Sequence, residues 1–202
     1  MSRNMIARLA YRHTRRVVAR AVAFHGWKMS PEKMRMPGPQ FTDRKPIPLE
    51  DVEEAIDYLE EARPGVLVAY SRGGAVAMLA LQEADVRPKV LWVAPAWRRG
   101  WARGKPPAGN GVILHGDRDD AVPLQHSCEL SKATGNPLRV VPDRSHVSIL
   151  KDKTNPNAGI PVPREKVQEC IETLPDWGTS GKGSREDVER QQAFTRSLKE
   201  RG

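Results

Sequence analysis

Short apolar runs alternate along this chain with longer stretches in which apolar residues recur every three or four positions, the pattern of strands interleaved with helices. Five runs predict strands, near residues 17–24, 66–70, 89–94, 111–115 and 138–141. Residues 48–62 set Val52, Ile56 and Leu59 on one face with acidic residues opposite, predicting a helix that leads straight into the second run. Residues 122–133, after a Pro-led turn, predict another helix, and residues 164–174 a third with Val167, Cys170 and Ile171 turned inward. Such alternation builds an α/β fold, a mostly parallel central sheet with helices on both faces. Residues 5–12 suit an edge strand or a helix equally, and residues 33–36, ahead of Pro37-Gly38-Pro39, suit a short strand.

Composition adds limits. The 202 residues, 39% of them apolar, suffice for one domain with a real core, expected over residues 1–176. A polar linker and a charged helix or tail are expected over 177–202, where Val188, Phe194 and Leu198 stand among charges, the pattern of a weak helix docking on the body or on a partner. No run approaches the eighteen or so apolar residues of a membrane span. The N-terminal residues lack the uninterrupted apolar core and cleavage site of a secretory signal, so a cytoplasmic location is expected. Cys128 and Cys170 fall in separate predicted helices away from other ligand-type residues, which predicts free thiols rather than a zinc site or a disulfide framework. Asp117, Asp119 and Asp120 lack the glycine and terminal glutamate of a calcium loop. Residues 178–183 contain a Gly-Lys pair without the loop length of a phosphate-binding loop. No metal and no cofactor are expected.

The chemistry concentrates where the second apolar run stops, at Ala69-Tyr70-Ser71-Arg72-Gly73-Gly74, before Ala75-Val76-Ala77-Met78 continues as a helix. A serine at the tip of a sharp strand-to-helix turn is held in a strained conformation that exposes its hydroxyl, and the small neighbours give the two backbones room to approach. Ser71 is therefore a candidate nucleophile, which requires a histidine to take its proton and a carboxylate to orient that histidine. Both follow in order. The fourth run ends in His115-Gly116-Asp117-Arg118-Asp119-Asp120-Ala121-Val122-Pro123, and the fifth leads through Pro142-Asp143-Arg144-Ser145 to His146.

In this order of serine, acid and base the chain resembles the α/β-hydrolase family, whose nucleophile elbow is Gly-x-Ser-x-Gly. The resemblance implies Ser71 as nucleophile, Asp119 as acid and His146 as base, with Ala69 standing where the first elbow glycine is usual. Upstream, His25-Gly26-Trp27 is similar to the family's oxyanion loop, which implies the backbone N–H groups of Trp27 and Arg72 as donors to a developing oxyanion. Asp117 and Asp120 flank the acid; Asp117 is suited to capping a turn and Asp120 to pairing with Arg118. His25 and His115 are expected to make structural hydrogen bonds, and His13 and His126 to face solvent. The segment after the third strand, 94–107, is too short for the family's lid. Its Trp97, Arg98 and Trp101 suit either a substrate pocket, for an acyl group with an acidic head, or a loop covering the sheet edge.

The expected activity is hydrolysis of a small-molecule ester or thioester, with or without an anionic group, by a serine esterase-like enzyme with a minimal lid. A peptidase or amidase on the same fold is the neighbouring reading. The net charge of +8 suggests a different class, a non-catalytic scaffold with a basic surface, although the basic residues are spread rather than gathered into a nucleic-acid-binding stripe. The oligomeric state is left open.

Overall fold

A computed structural model describes residues 21–44, 46–97, 110–152, 155–174 and 182–200. Six strands form one sheet in which spatial order follows chain order: β1 (Ala21–Phe24), β2 (Val66–Tyr70), β3 (Lys89–Val93), β4 (Gly111–Gly116), β5 (Leu138–Val141) and β6 (Ile160–Pro161). The first five pair in parallel, and β6 closes the edge antiparallel to β5. The helices among the described residues are α1 (Pro31–Met34), α2 (Leu49–Ala62), α3 (Arg72–Glu83), α4 (Leu124–Thr134), α5 (Arg164–Thr173) and α6 (Arg185–Lys199).

Strand side chains alternate between two layers, as the two-residue period of a pleated strand demands. Phe24, Leu67, Ala69, Val90, Trp92, Ile113 and Val140 join the larger core with apolar residues of α2, α3, α4 and α5. Ala23, Val68, Tyr70, Leu91, Val93 and Leu114 face the other way, into a smaller cluster completed by Ile149 and edged by Met29, Met34 and Met36. Helix α2 carries the apolar stripe expected of it, burying Val52, Ala55 and Leu59. Helix α3 is buried on every side from Gly73 to Met78, which explains its lack of polar residues there.

Three expectations are corrected. Residues 33–36 do not form a strand: Ser30 caps and Pro31 opens the short helix α1, which Arg35 ends in a left-handed conformation. The chain then meets β1 through one bond, Ala23 N–H to the Pro37 carbonyl at 2.8 Å, and Pro37 and Pro39, lacking N–H groups, cannot extend a ladder. Cys128 and Cys170 are not free thiols. They form a disulfide between α4 and α5, with Cα atoms 6.3 Å apart and both residues fully buried. Their separation of 42 residues hides this in the sequence, and only the side-by-side packing of the two helices brings them together. His126 is buried rather than solvent-facing, because it lies on the inward side of α4 with Ser127 and Leu130. His13 lies outside the described residues.

Parallel strands place every strand-to-helix loop at one edge of the sheet, and in open α/β sheets ligands bind outside that edge. The loops after β1, β2, β4 and β5 meet there. No helix among the described residues is long and apolar enough to cross a membrane.

Candidate active site

Ser71 joins β2 to α3 with φ 51° and ψ −122°, a conformation that costs a residue with a side chain on the order of 1–3 kcal/mol. Surrounding hydrogen bonds hold it there. Its N–H donates to the Val93 carbonyl at 3.0 Å, and its own carbonyl accepts from the N–H groups of Gly74 and Ala96, each at 2.9 Å. The turn also needs Gly73, where a Cβ would lie 2.2 Å from the Phe24 carbonyl oxygen. Strand β1 thus packs directly on the first turn of α3, leaving no room for a side chain.

The loop after β5 delivers His146 to this turn, with Nε2 2.9 Å from Ser71 Oγ and Nδ1 2.7 Å from Asp119 Oδ2. The carboxylate can only accept, so Nδ1 carries the proton and Nε2 presents a lone pair to the serine hydroxyl. Tyr70, the residue before the serine, steadies the imidazole: its hydroxyl donates to the His146 carbonyl at 3.0 Å, and the two rings lie 5.0 Å apart. Burial, and then the charge of Asp119, push the Tyr70 hydroxyl above its ordinary range, which keeps it a donor.

Asp119 is fully buried in the loop after β4. Its Oδ1 accepts from the N–H groups of Ala121 at 2.9 Å and Val122 at 2.8 Å, forming a turn around its own side chain. Burial alone would raise its pKa. The charge and hydrogen bond of His146, with smaller help from His115 and the Val122 N–H, outweigh burial and hold it below the usual carboxylate value. His115 lies beneath, its Nε2 3.5 Å from Asp119 Oδ2. That nitrogen donates to the Val122 carbonyl at 3.0 Å while Nδ1 accepts from Ser127 Oγ at 2.7 Å, and burial keeps the ring neutral by lowering its pKa. His25 likewise has a structural task, accepting from the Phe41 N–H at 2.9 Å.

The flanking acids separate clearly. Asp117 accepts from the Asp143 N–H at 2.7 Å, capping the turn after β5, and burial raises its pKa. Asp120 does not pair with Arg118. The Arg118 N–H bonds to the Arg144 carbonyl at 2.9 Å, which lays that stretch along the next loop, and its guanidinium meets Asp143 at 2.5 Å. Asp120 instead lies 3.9 Å from Lys182 Nζ.

Arg72 opens α3, so its backbone N–H is one of the helix-initial donors that no intrahelical carbonyl can occupy, on the positive end of the helix. Its side chain turns away and is buried, with Nη2 2.6 Å from Asp51 Oδ2 and 3.3 Å from the Arg44 carbonyl. Asp51 also accepts from the Thr42 N–H and hydroxyl, at 3.0 and 3.1 Å. The charge of Arg72 is therefore compensated inside the protein. Trp27 follows β1 at the mouth, 44% exposed, with Lys28 Nζ 5.9 Å from its ring centre. Trp97 lies elsewhere, 5% exposed within the larger core, so it covers the sheet rather than lining an open pocket. Arg98 and Trp101 lie outside the described residues. Tyr70 and Asp51 are contributors that sequence reasoning missed. Only Tyr70 carried a signal, its place beside the serine at a strand end. Among the described residues no group of three or more His, Cys, Asp or Glu side chains is arranged to hold a metal ion.

A strained serine, an oriented imidazole and a buried carboxylate in hydrogen-bonded series are suited to nucleophilic attack with proton transfer. The six-stranded, mostly parallel sheet with its helices defines an α/β fold, and the crevice lies at the ends of its parallel strands. The chain is similar to the solved structure of a presumed hydrolase of the alpha/beta superfamily from Xanthomonas campestris pv. campestris, with a TM-score of 0.51 and 15% identity, over 75% of this chain and 94% of that one. At that identity the likeness is one of fold. No family model matches the chain, and no curated protein matches it.

Proposed function

We propose that this protein is a serine hydrolase that cleaves a carboxylic ester or thioester through an acyl-enzyme on Ser71. The observation that carries the reading is the unbroken series Ser71 Oγ, His146, Asp119 Oδ2, with hydrogen bonds of 2.9 and 2.7 Å. In the first step Ser71 Oγ bonds to the acyl carbon as its proton passes to His146 Nε2, and Asp119 stabilises the imidazolium. The carbonyl oxygen gains negative charge, which the backbone N–H groups of Arg72 and Trp27 would receive; one such donor is typically worth about 10²–10³ in turnover. The imidazolium then protonates the departing alcohol or thiol. Water, deprotonated by His146, releases the acid and restores the serine.

Two exposed apolar side chains adjoin this machinery: Val147, 65% exposed, follows His146 in the chain, and Trp27, 44% exposed, follows Gly26, which packs against Tyr70 and Ser71. They favour an apolar acyl group bound at an open mouth. Recognition of an acidic head group finds no support in Arg72, whose guanidinium is held by Asp51.

The test is labelling with a fluorophosphonate probe, comparing wild type with Ser71→Ala and locating the adduct by peptide mass. Labelling at Ser71, with turnover of p-nitrophenyl esters or acyl thioesters falling about 10⁴-fold or more in the variant at unchanged melting temperature, is the expected result. Well-folded wild type that takes no label would return the fold to the scaffold reading.

A further inference from the structure

The C-terminal helix reaches into the acid loop through one side chain. Gln191, on α6, is fully buried, and both ends of its amide are used. Its Nε2 donates to the backbone carbonyl of Asp119 at 2.8 Å, and its Oε1 accepts from the N–H of Leu124 at 2.7 Å. These two backbone groups bound the loop that presents the carboxylate to His146. They lie 72 and 67 residues from Gln191 in the chain.

The reason such a strut is needed can be read from the loop. Helix α4 begins after Pro123, which has no side-chain oxygen and makes no capping bond, and the N–H of Leu124 is one of the helix-initial donors that no intrahelical carbonyl can receive, so it needs an acceptor. Gln191 supplies it from a distance. The same amide ties that helix start to Asp119, so one rigid planar group fixes the span from Asp119 to Leu124. A second tie reinforces it, with the Gly183 N–H on the Asp120 carbonyl at 2.7 Å. The helix that carries Gln191 is itself well anchored. Ser184 and Asp187 form a reciprocal capping box, and Phe194 and Leu198 are buried in the larger core.

We propose that Gln191 is a positioning residue for the reaction, setting the carboxylate of Asp119 against His146, so that the C-terminal helix is a working part of the active site. This rests on the serine-hydrolase reading of the site. Gln191 touches neither substrate nor the reacting atoms; it acts by holding the Asp119 backbone.

The test uses the full chain and two readouts, the rate of fluorophosphonate labelling at Ser71 and the downfield proton resonance of His146 Nδ1–H followed through a pH titration. Gln191→Met keeps the side-chain length and removes both hydrogen bonds. It should slow labelling about 10- to 100-fold and shift or broaden the His146 resonance. Leu198→Ala serves as the control, lowering the melting temperature through the same helix and leaving both readouts as in wild type. Gln191→Met that labels at the wild-type rate with an unmoved resonance would overturn the proposal, as would Leu198→Ala losing as much as Gln191→Met. If wild type shows the resonance and its dependence on Gln191 but Ser71 takes no label, the positional claim stands and the hydrolase reading fails.

Discussion

Ser71 and Asp119 bond to opposite nitrogens of one imidazole, but the segments that present them are held in different ways. The serine turn lies between β2 and α3, two buried elements in contact with β1 and β3, and its shape follows from small residues and from backbone bonds to Gly74 and to Val93 and Ala96 at and just after the end of the neighbouring β3. The aspartate loop leaves β4 and enters a helix whose cap residue is a proline, and it keeps its shape through Gln191, Gly183 and the loop after β5. A turn between two central elements is specified by what is next to it. A loop at the margin depends on chain segments that come much later, so damage far away should reach Asp119 before it reaches Ser71.

On the proposed function, the largest effect expected on this comparison comes from Asp119 itself. Asp119→Asn removes the charge that fixes the His146 tautomer and should lower kcat by about 10⁴, whereas Asp117→Asn, at a residue that caps a turn, should change it only a few-fold. Measured kcat for both variants on one p-nitrophenyl ester decides this; a severe Asp117 variant beside a mild Asp119 variant would move the acid to Asp117.

Next in size is the disulfide, which ties α4, the helix leading out of the acid loop, to α5. A cross-link closing a loop of 42 residues stabilises by roughly 4 kcal/mol in the chain-entropy account. Cys170→Ser should lower the melting temperature by on the order of 10 °C. Hydrogen exchange should quicken first in residues 116–134 and last in 66–83; equal quickening in both segments would mean the two halves of the site share one cooperative unit.

This asymmetry also governs how much was legible in the chain. The serine turn, the strands β2 to β5 and the helices α2, α4 and α5 declare themselves by period and by contiguous motif, and Ser71, Asp119 and His146 fall in readable loops. What stayed hidden depends on juxtaposition. Cys128 and Cys170 meet only because two helices pack side by side, and β6, two residues long, has no period to detect. Gln191 looks like any polar residue of a charged helix until that helix is docked. Asp51 reads as one of several acids on α2, and its bonds to the buried Arg72 and to Thr42 distinguish it.

The smallest effect is set by pH, through His115 under the acid loop. Burial lowers the pKa of His115 below 6.5, so the folded protein refuses a proton that the unfolded chain accepts. Below about 6.5 the unfolded state binds more protons, and stability falls with falling pH until the folded-state pKa is passed, by up to about 1.4 kcal/mol per pH unit. Asp119, held below 3.8, adds a loss of the same sign only at much lower pH. The urea midpoint should therefore drop between pH 7 and pH 5, and amides of residues 116–127 should exchange faster at pH 5 than those of 66–76, relative to their intrinsic rates. His115→Gln should flatten the slope while lowering stability at pH 7. A slope that persists unchanged in His115→Gln would sever it from His115 and leave the acid loop no more pH-sensitive than the serine turn.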